Sequence, residues 1–410
     1  MSETGQIADG FTQRGYRVVP FGEPSDVVFL NTCTVTDGAD SSCRNMIRKA
    51  HRASPEGQIV VAGCYAQMEA EKIKKIEGVD LILGTTEKYK VFDHLEAHQE
   101  QLVKIDQSTE FYQAQTTQSD SHTRAFLKIQ DGCNYVCSFC IIPHARGRSR
   151  TLDIKTAVES AKKIVGDGYK EIVLTGVNIG EYESTSKEKL SDMVKAIGDI
   201  QGLERLRLSS VEPNTISREL LVALKSTGKY QNHFHVPLQS GCDEILKSMR
   251  RKYDMSFYKD VMSLIQDEFP GAAIGADIIA GYPGESEEQF LKTYEYLAKS
   301  EHTHFHVFPY SRRQKTTAAK LPHQLQVELK KKRVNELRAL GEQKLTQLRD
   351  KLSGRTLKVL FEQRKGDYFE GNAPEFTKVR VQTDADLSNQ IHDVLIGEQV
   401  MGVNLGKLLQ

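Results

Sequence analysis

The spacing of apolar and polar positions changes twice along the chain, which predicts three domains at residues 1–98, 119–349 and 352–410. In the first domain, short apolar runs typical of buried strands alternate with amphipathic stretches typical of helices. The predicted strands are Asp26–Thr32, Gln58–Gly63 and Val79–Leu83, and the predicted helices are Met1–Gly15, Asp37–Ala53 and Gln67–Glu77. This alternation predicts an α/β domain with a parallel sheet, whose binding loops follow the carboxyl ends of the strands.

Two cysteines of this domain stand at predicted strand ends. Cys33 follows the first strand and Cys64 follows the second. If those strands are neighbours, their loops lie together and the two thiols could bind a metal. The pattern fits two buried structural cysteines equally well, because free cysteines are common in protein cores. The domain also opens on a helix, whereas a doubly wound domain normally opens on a strand, so the sequence starts one strand late.

The middle domain continues the alternation, with amphipathic helices such as Ile154–Val165 and Glu287–Ala298 between strand-like runs. The runs are Ala125–Gln130, Glu171–Thr175, Leu203–Ser209, His233–Leu238, Ala273–Ile279 and His304–Phe308. Such a series predicts a partial (β/α)6 barrel, whose chemistry lies in the loops after the strands. The helical stretch Leu325–Leu352 that follows is interpreted as a linker.

Polar residues and glycines recur in the loops after these strands, and they are the candidates for cofactor binding. Gly176, Asn178, Glu212 and Gln239 follow the second to fourth strands, and Asp277 begins a run that spans the end of the fifth strand. Glycine permits a close approach of the backbone to a ligand. Each loop alone is weak evidence, since glycine-rich turns after strands are routine. Their recurrence at successive strand ends favours a binding site.

The last domain changes to short strands at Thr356–Glu362, Tyr368–Asn372, Lys378–Thr383, Asp393–Ile396 and Gln399–Leu405. This pattern predicts a small antiparallel β-barrel, of a kind that either binds RNA or packs on the core. Lys378 and Arg380 alternate with Val379 and Val381, which places positive charge on one face of a strand.

Composition places the chain among globular proteins and sets conditions on nucleic-acid binding. Charged residues make up 27% and hydrophobic residues 39% of it, and the formal net charge is +0. Any RNA binding must therefore use local patches, and the candidates are Arg146, Arg148 and Arg150, then Arg250-Arg251-Lys252, and Arg312-Arg313. No apolar run reaches the roughly 20 residues of a membrane span and no secretory signal is present. We therefore expect no membrane association, a cytoplasmic location and reduced thiols.

Three further cysteines, Cys133, Cys137 and Cys140, form the spacing C-x3-C-x2-C in one short stretch. Three thiolates on a four-iron cluster leave one iron open to a reactant. In ordinary electron-transfer clusters, a cysteine binds each of the four irons. A zinc site completed by His144 is the alternative, although zinc sites usually pair their cysteines around a longer loop. The spacing resembles the signature of the radical S-adenosylmethionine (SAM) enzymes. That resemblance implies an open iron that chelates SAM and an electron that cleaves it to a 5′-deoxyadenosyl radical.

The whole chain resembles the methylthiotransferases, a branch of the radical SAM enzymes with an N-terminal cluster domain, a radical SAM core and a C-terminal TRAM domain. The motifs are Asn31-Thr-Cys33, Gly63-Cys64, the Cys133/Cys137/Cys140 stretch with Ile141-Ile-Pro143 and Arg146-Gly147, and Pro237-Leu-Gln-Ser-Gly241. The runs Asn31–Thr36 and Cys140–Ser149 look like the subgroup that modifies threonylcarbamoyladenosine in tRNA. Subgroups acting on isopentenyladenosine or on a ribosomal-protein aspartate are the alternatives.

The resemblance implies that a methylthio group replaces the C2 hydrogen of N6-threonylcarbamoyladenosine at position 37 of tRNA. It implies two 4Fe–4S clusters and SAM as cofactors, with Cys133, Cys137 and Cys140 as catalytic ligands of the radical cluster and Cys33 and Cys64 on an auxiliary cluster. SAM would contact the five candidate residues named above. The partners would be a tRNA anticodon stem-loop and an electron donor such as flavodoxin or ferredoxin, and we expect a monomer.

The chain departs from the family pattern in its first domain. The family contributes three cysteines there, the first at the end of an opening strand, and the third ligand is absent from this chain. Either the N-terminus is truncated or another group supplies that ligand. Cys43 is the remaining cysteine of this domain and, inside the first long helix, a poor substitute. Two hypotheses follow: an active methylthiotransferase, or a tRNA-binding homologue with a defective auxiliary cluster.

Overall fold

The computed structural model describes residues 2–96, 101–102, 111–112 and 123–409. The chain divides into two compact units, described separately below. The first unit comprises Met1–Ser119, Gln130–Thr151 and Ser311–Lys320, and the second comprises Asp120–Ile129, Leu152–Tyr310 and Leu321–Gln410. The predicted domain limits at 98 and 119 lie outside the described residues, and the three-domain division stays a prediction.

The helices and strands of the described residues are numbered in chain order. The helices are α1 Ser2–Gln13, α2 Asp37–Ala53, α3 Cys64–Ile73, α4 Val91–Glu96, α5 Ile142–Arg146, α6 Ile154–Gly166, α7 Leu190–Gly198, α8 Arg218–Ser226, α9 Asp243–Ser248, α10 Met255–Glu268, α11 Glu287–Lys299 and α12 Val327–Leu352. The strands are β1 Val27–Thr32, β2 Gln58–Gly63, β3 Leu81–Leu83, β4 Gln101–Leu102, β5 Arg124–Lys128, β6 Gln130–Asp131, β7 Arg150–Thr151, β8 Glu171–Thr175, β9 Arg205–Leu208, β10 His233–His235, β11 Ala273–Ala280, β12 His302–Pro309, β13 Thr356–Lys365, β14 Tyr368–Asn372, β15 Lys378–Gln382, β16 Ile391–Val400 and β17 Val403–Leu408. Within these residues, no helix is both long and apolar enough to cross a membrane.

The first unit is built on a parallel sheet with the order β1-β2-β3-β4, as the α/β pattern predicts. Apolar side chains cover both faces, with Ile47 and Tyr65 in one core cluster and Ile7 and Phe11 in the other. α3 begins at Cys64, three residues before the predicted start. Gly63 causes this difference, because its φ of +100° turns the chain from strand into helix without a loop.

A two-strand hairpin base holds the cysteine stretch in the first unit. β6 pairs antiparallel with β7, so that the segment from Gly132 to Ser149 forms a closed loop that contains α5. We call this segment the cysteine loop. Gly132 has φ +73°, and a Cβ there would lie 2.0 Å from the carbonyl oxygen of Arg148. Glycine is therefore required where the cysteine loop begins.

The second unit contains the predicted partial (β/α)6 barrel. Its strands form two parallel three-stranded sheets in chain order, β5-β8-β9 and β10-β11-β12. An isolated parallel bridge joins Leu206 of β9 to Tyr230, three residues before β10. Amphipathic helices such as α6, α7 and α8 connect the strands, which confirms the predicted fold class.

The interpretation of residues 325–352 as a linker is wrong, because α12 packs on the second sheet of the barrel. Arg333 donates to the Glu285 carboxylate at 2.6 Å, and both side chains are 2% exposed. Arg338 donates to the Val307 carbonyl at 3.2 Å, and Lys344 donates to the Ser300 carbonyl at 2.7 Å. The polar sequence of α12 therefore includes cations that bind backbone and carboxylate groups of the barrel.

The C-terminal strands close into a barrel with the order β13-β14-β15-β17-β16, around a core that includes Phe361 and Phe369. All neighbouring pairs are antiparallel except β15 and β17, which are parallel. The predicted strand break between Ile396 and Gln399 is wrong. β16 continues through a register shift at these residues, and the turn lies at Met401-Gly402. Gly397 thus marks a β-bulge rather than a turn.

Candidate functional site

Cys33 and Cys64 lie at the same edge of the sheet in the first unit. β1 and β2 pair in parallel, with their last residues Thr32 and Gly63 opposite each other. The residue that directly follows each of these strands is a cysteine. This confirms the expectation that the two loops are neighbours. Cys33 is exposed, whereas Cys64 opens α3 and is buried. Burial raises the pKa of the Cys64 thiol, while the positive charges of Arg146 and Lys88 act in the opposite direction.

Cys43 lies beside the Cys33 segment, although the sequence places it ten residues away within a helix. Its buried thiol donates to the carbonyl oxygen of Cys33 at 3.5 Å. Burial raises the pKa of this thiol, which disfavours the thiolate that a metal requires. That Cys43 is a poor substitute for the third ligand of the auxiliary cluster stays a prediction.

The cysteine loop presents three half-buried cysteines on a hydrogen-bonded backbone. The Cys133 amide donates to the Gly147 carbonyl at 3.1 Å, and the Cys140 amide donates to the Cys137 carbonyl at 3.1 Å. The Tyr135 amide donates to the Cys133 sulfur at 3.4 Å. Such N–H···S contacts favour a thiolate and are typical of cysteines that hold iron–sulfur groups. The assignment of these three cysteines to an iron–sulfur cluster stays a prediction.

Ion pairs tie the cysteine loop to α1 and to the segment before α4. Glu3 accepts from the buried Lys88 ammonium at 2.6 Å and from Arg146 at 3.2 Å. Arg146 also pairs with Asp131 at 2.9 Å, and Arg150 pairs with the same carboxylate at 3.1 Å. The predicted basic patch is thus largely occupied by internal ion pairs, whereas Arg148 is exposed. Sequence reasoning missed Glu3 and Lys88, because nothing local in the sequence indicates their pairing with the loop.

In the Arg312-Arg313 patch, Arg313 is likewise held by internal ion pairs, whereas Arg312 is exposed. Arg313 is buried and pairs with Asp40 at 2.7 Å. The Thr34 hydroxyl, next to Cys33, donates to the same carboxylate at 2.8 Å. Arg313 therefore supports the Cys33 segment and is not available to bind a phosphate backbone.

Of the SAM candidates, Gly176, Asn178, Glu212 and Gln239 lie beyond the ends of barrel strands in the second unit. Asn178 is buried, and Gln239 has φ +67°. Gln239 bridges to β11, since its amide donates to the Asp277 carbonyl at 2.8 Å. Burial raises the pKa of the Glu212 carboxyl, although an ion pair with Arg251 opposes the shift. The assignment of these residues to SAM stays a prediction.

Asp277 lies inside β11, as the predicted strand Ala273–Ile279 implies, whereas the other four candidates follow strands. The strand continues to Ala280, beyond the predicted end at Ile279. The Asp277 carboxylate lies 3.1 Å from His235 Nε2 and 3.3 Å from His306 Nδ1. Burial alone would raise the pKa of Asp277, but hydrogen bonds from these two histidines outweigh it and lower the pKa.

Known protein families and curated relatives match the chain over the parts that carry the cysteine loop and the two strand-end cysteines. A family model described as the radical SAM superfamily matches residues 127–297, and one described as uncharacterized protein family UPF0004 matches residues 1–84. The threonylcarbamoyladenosine tRNA methylthiotransferase MtaB of Bacillus subtilis (strain 168) is 35% identical over 100% of this chain and 93% of its own length. The tRNA-2-methylthio-N(6)-dimethylallyladenosine synthase of Clostridium tetani (strain Massachusetts / E88) is 32% identical over 85% of this chain and 80% of its own.

A solved structure supports the fold. The radical S-adenosylmethionine methyltransferase TsrM from Kitasatospora setae is similar with a TM-score of 0.54 at 14% identity, over 88% of this chain and 70% of its own. At this identity the likeness concerns the fold alone. The full-length relatives and the radical SAM match, taken with the cysteine loop and the paired strand ends, show that the chain belongs to the radical SAM tRNA methylthiotransferases.

Proposed function

We propose that this chain transfers a methylthio group to C2 of N6-threonylcarbamoyladenosine at position 37 of tRNA by radical SAM chemistry. One observation supports the proposal: the cysteine loop and the two strand-end cysteines belong to the same compact unit, and such a reaction requires both sets. The curated relative with this activity, which spans the whole chain, supports the threonylcarbamoyladenosine subgroup. The cofactors are 4Fe–4S and SAM.

Cys133, Cys137 and Cys140 would hold the 4Fe–4S group that binds SAM. When bound, this group supplies the electron that cleaves SAM and yields a 5′-deoxyadenosyl radical. The protein's part is to hold three thiolates in one geometry. The Tyr135 amide stabilises the Cys133 sulfur, and the Asp131 pairs with Arg146 and Arg150 fix the base of the loop.

Cys33 and Cys64 would hold the auxiliary 4Fe–4S group. Deprotonation of Cys64 costs free energy because the side chain is buried, and the charges of Arg146 and Lys88 reduce this cost. The third ligand of this group is unassigned. The alternative function is a tRNA-binding homologue whose auxiliary group is defective.

Gly176, Asn178, Glu212, Gln239 and Asp277 are proposed to contact SAM, as their positions at or near strand ends suggest. The tRNA would present adenosine 37 unstacked from the anticodon stem-loop, because a stacked base is not accessible to a barrel site. The exposed Arg148 is a candidate phosphate contact beside the cysteine loop. We further propose that flavodoxin or ferredoxin is the reductant, that the protein is a monomer and that its location is cytoplasmic.

The test is mass spectrometry of tRNA nucleosides from a host that lacks its own methylthiotransferases and expresses this chain. We expect methylthio-threonylcarbamoyladenosine, and none from the Cys137→Ala variant. Methylthio-isopentenyladenosine would keep the reaction and overturn the subgroup. No methylthio product, from protein that carries about four irons per chain in place of about eight, would favour the inactive homologue.

A further inference from the structure

Histidines from two strands share one face of the second barrel sheet. β10 contributes His233 and His235, and β12 contributes His304 and His306. His304 pairs with Gly275 and His306 pairs with Asp277 in the parallel register of β11 and β12. A Cβ at Gly275 would lie 2.2 Å from His304 Nε2 and 2.9 Å from His235 Nδ1. The glycine therefore provides the space in which these imidazoles gather.

Two histidines of this group and Asp277 of β11 converge on one point. The ligand atoms of His235, Asp277 and His306 all lie within 4.8 Å of one another. The carboxylate oxygen of Asp277 is 3.1 Å from one imidazole nitrogen and 3.3 Å from the other. A metal ion with bonds of about 2.0–2.1 Å holds adjacent ligands about 3.0–3.4 Å apart, so these separations suit a common ion.

The surroundings provide access and room for further ligands. The side chain of His306 is 57% exposed, whereas that of His235 is 10% exposed. A cavity of about 630 Å³ adjoins the group, and its walls include His235, His306, Glu342 and Phe376. An ion could enter on the His306 side, and water could complete its coordination.

We propose that His235, Asp277 and His306 bind one divalent transition-metal ion of the zinc class, with the remaining coordination positions open to the cavity. Two imidazoles and one carboxylate form the three-ligand set of open zinc and non-haem iron sites. Magnesium and calcium fit poorly, because they prefer oxygen ligands throughout. Its residues belong to the second unit, whereas the proposed cluster ligands belong to the first. For Asp277 this assignment replaces the SAM contact proposed above, and the other four SAM candidates are unaffected.

The experiment uses the full chain after anaerobic reconstitution with iron and sulfide, so that the cysteines are occupied before zinc is added. After incubation with Zn²⁺ and gel filtration, iron and zinc are counted per chain, and X-ray absorption at the zinc edge identifies the ligands. We expect about one zinc per chain, with nitrogen and oxygen at about 2.0–2.1 Å and no sulfur shell at about 2.3 Å.

The variants are His306→Ala, whose side chain is largely exposed, and Asp277→Asn, which keeps the side-chain shape. Each should retain less than a tenth of the zinc at unchanged iron content. His392→Ala in β16 is the matched control and should retain the wild-type amount. Equal zinc in wild type and variants, no retained zinc, or a zinc–sulfur shell would overturn the site. If a variant loses iron as well as zinc, the wild-type spectrum decides alone.

Discussion

Arg146 shows at the scale of a single residue how the cysteine loop is fixed. It lies between Glu3 and Asp131, and its charge acts on the buried thiol of Cys64. The sequence motif indicated that Arg146 belongs to the loop, but not that its partners are a carboxylate of α1 and one at the loop's base. Long-range ion pairs of this kind have no local signal, since they depend on the completed fold.

We expect Arg146→Ala to lower the free energy of unfolding by about 3 kcal/mol, because it leaves two largely buried carboxylates without this partner. The substitution should also reduce iron uptake, since the Cys64 thiolate loses a neighbouring positive charge. Urea denaturation and iron counting test both effects. Arg148→Ala is the control, and its exposed position predicts a change within about 0.5 kcal/mol. Equal effects of the two substitutions would contradict the role given to Arg146.

His302 is buried and accepts or donates hydrogen bonds with Tyr258 and Ser300 at 2.9 Å each. Burial lowers its pKa to about 3, with smaller effects from His304, Lys344 and His235. The unfolded chain therefore binds a proton at His302 near pH 6.5, whereas the folded chain does not. The contribution of the neutral imidazole to stability is fully present above pH 6.5 and is lost as the pH is lowered towards 3. Glutamine does not titrate, so we expect His302→Gln to reduce the slope of the free energy of unfolding against pH by about 1.4 kcal/mol per pH unit in this range. Denaturation between pH 4 and pH 8 measures it, and an unchanged slope would contradict the account.

At the scale of elements, the pattern of apolar and polar positions located most helices and strands, and long-range contacts decided the rest. α2 begins and ends as predicted, because Thr36 caps its N-terminus by accepting from the Ala39 amide. The function of α12 was mistaken because its sequence is strongly polar. Its buried cation, Arg333, depends on Glu285 from a segment more than forty residues earlier.

Arg333→Ala should therefore destabilise the second unit by about 3–5 kcal/mol, since it leaves the buried Glu285 carboxylate without its ion pair. Its neighbour Lys332 has a side chain that is 63% exposed, so Lys332→Ala should change stability by less than about 0.5 kcal/mol. Thermal and urea unfolding of the two variants gives the comparison. A small effect of Arg333→Ala would restore the interpretation of α12 as a linker.

At the scale of the whole molecule, the sequence predicted the fold class and the family, because the cysteine spacing and the strand–helix alternation are local signals. The sequence did not predict which of the charged side chains are paired with carboxylates of the same protein. Lys378 and Arg380 pair with Glu362 and Glu370, so the positive charge predicted on one face of this strand is largely neutralised within the C-terminal barrel. The histidine group on β10 and β12 was also missed, since its ligands come together only through strand register.

Two cysteine variants should separate the proposed clusters. Cys137→Ala should abolish SAM cleavage, because it removes a ligand of the SAM-binding group. Cys64→Ala should retain SAM cleavage, lose methylthiolation and fall from about eight to about four irons per chain. Cys43→Ser is the control and should keep all three properties. Methylthiolation by the Cys64 variant would contradict the auxiliary role, and loss of iron from the Cys43 variant would make Cys43 a ligand.

The most direct measurement uses the reconstituted chain with SAM, a reductant and an anticodon stem-loop that carries deuterium at C2 of threonylcarbamoyladenosine 37. The account predicts deuterium in the 5′-deoxyadenosine and a methylthio group at C2 of the same RNA. Cleavage of SAM with all deuterium retained at C2, and no methylthio product, would contradict it.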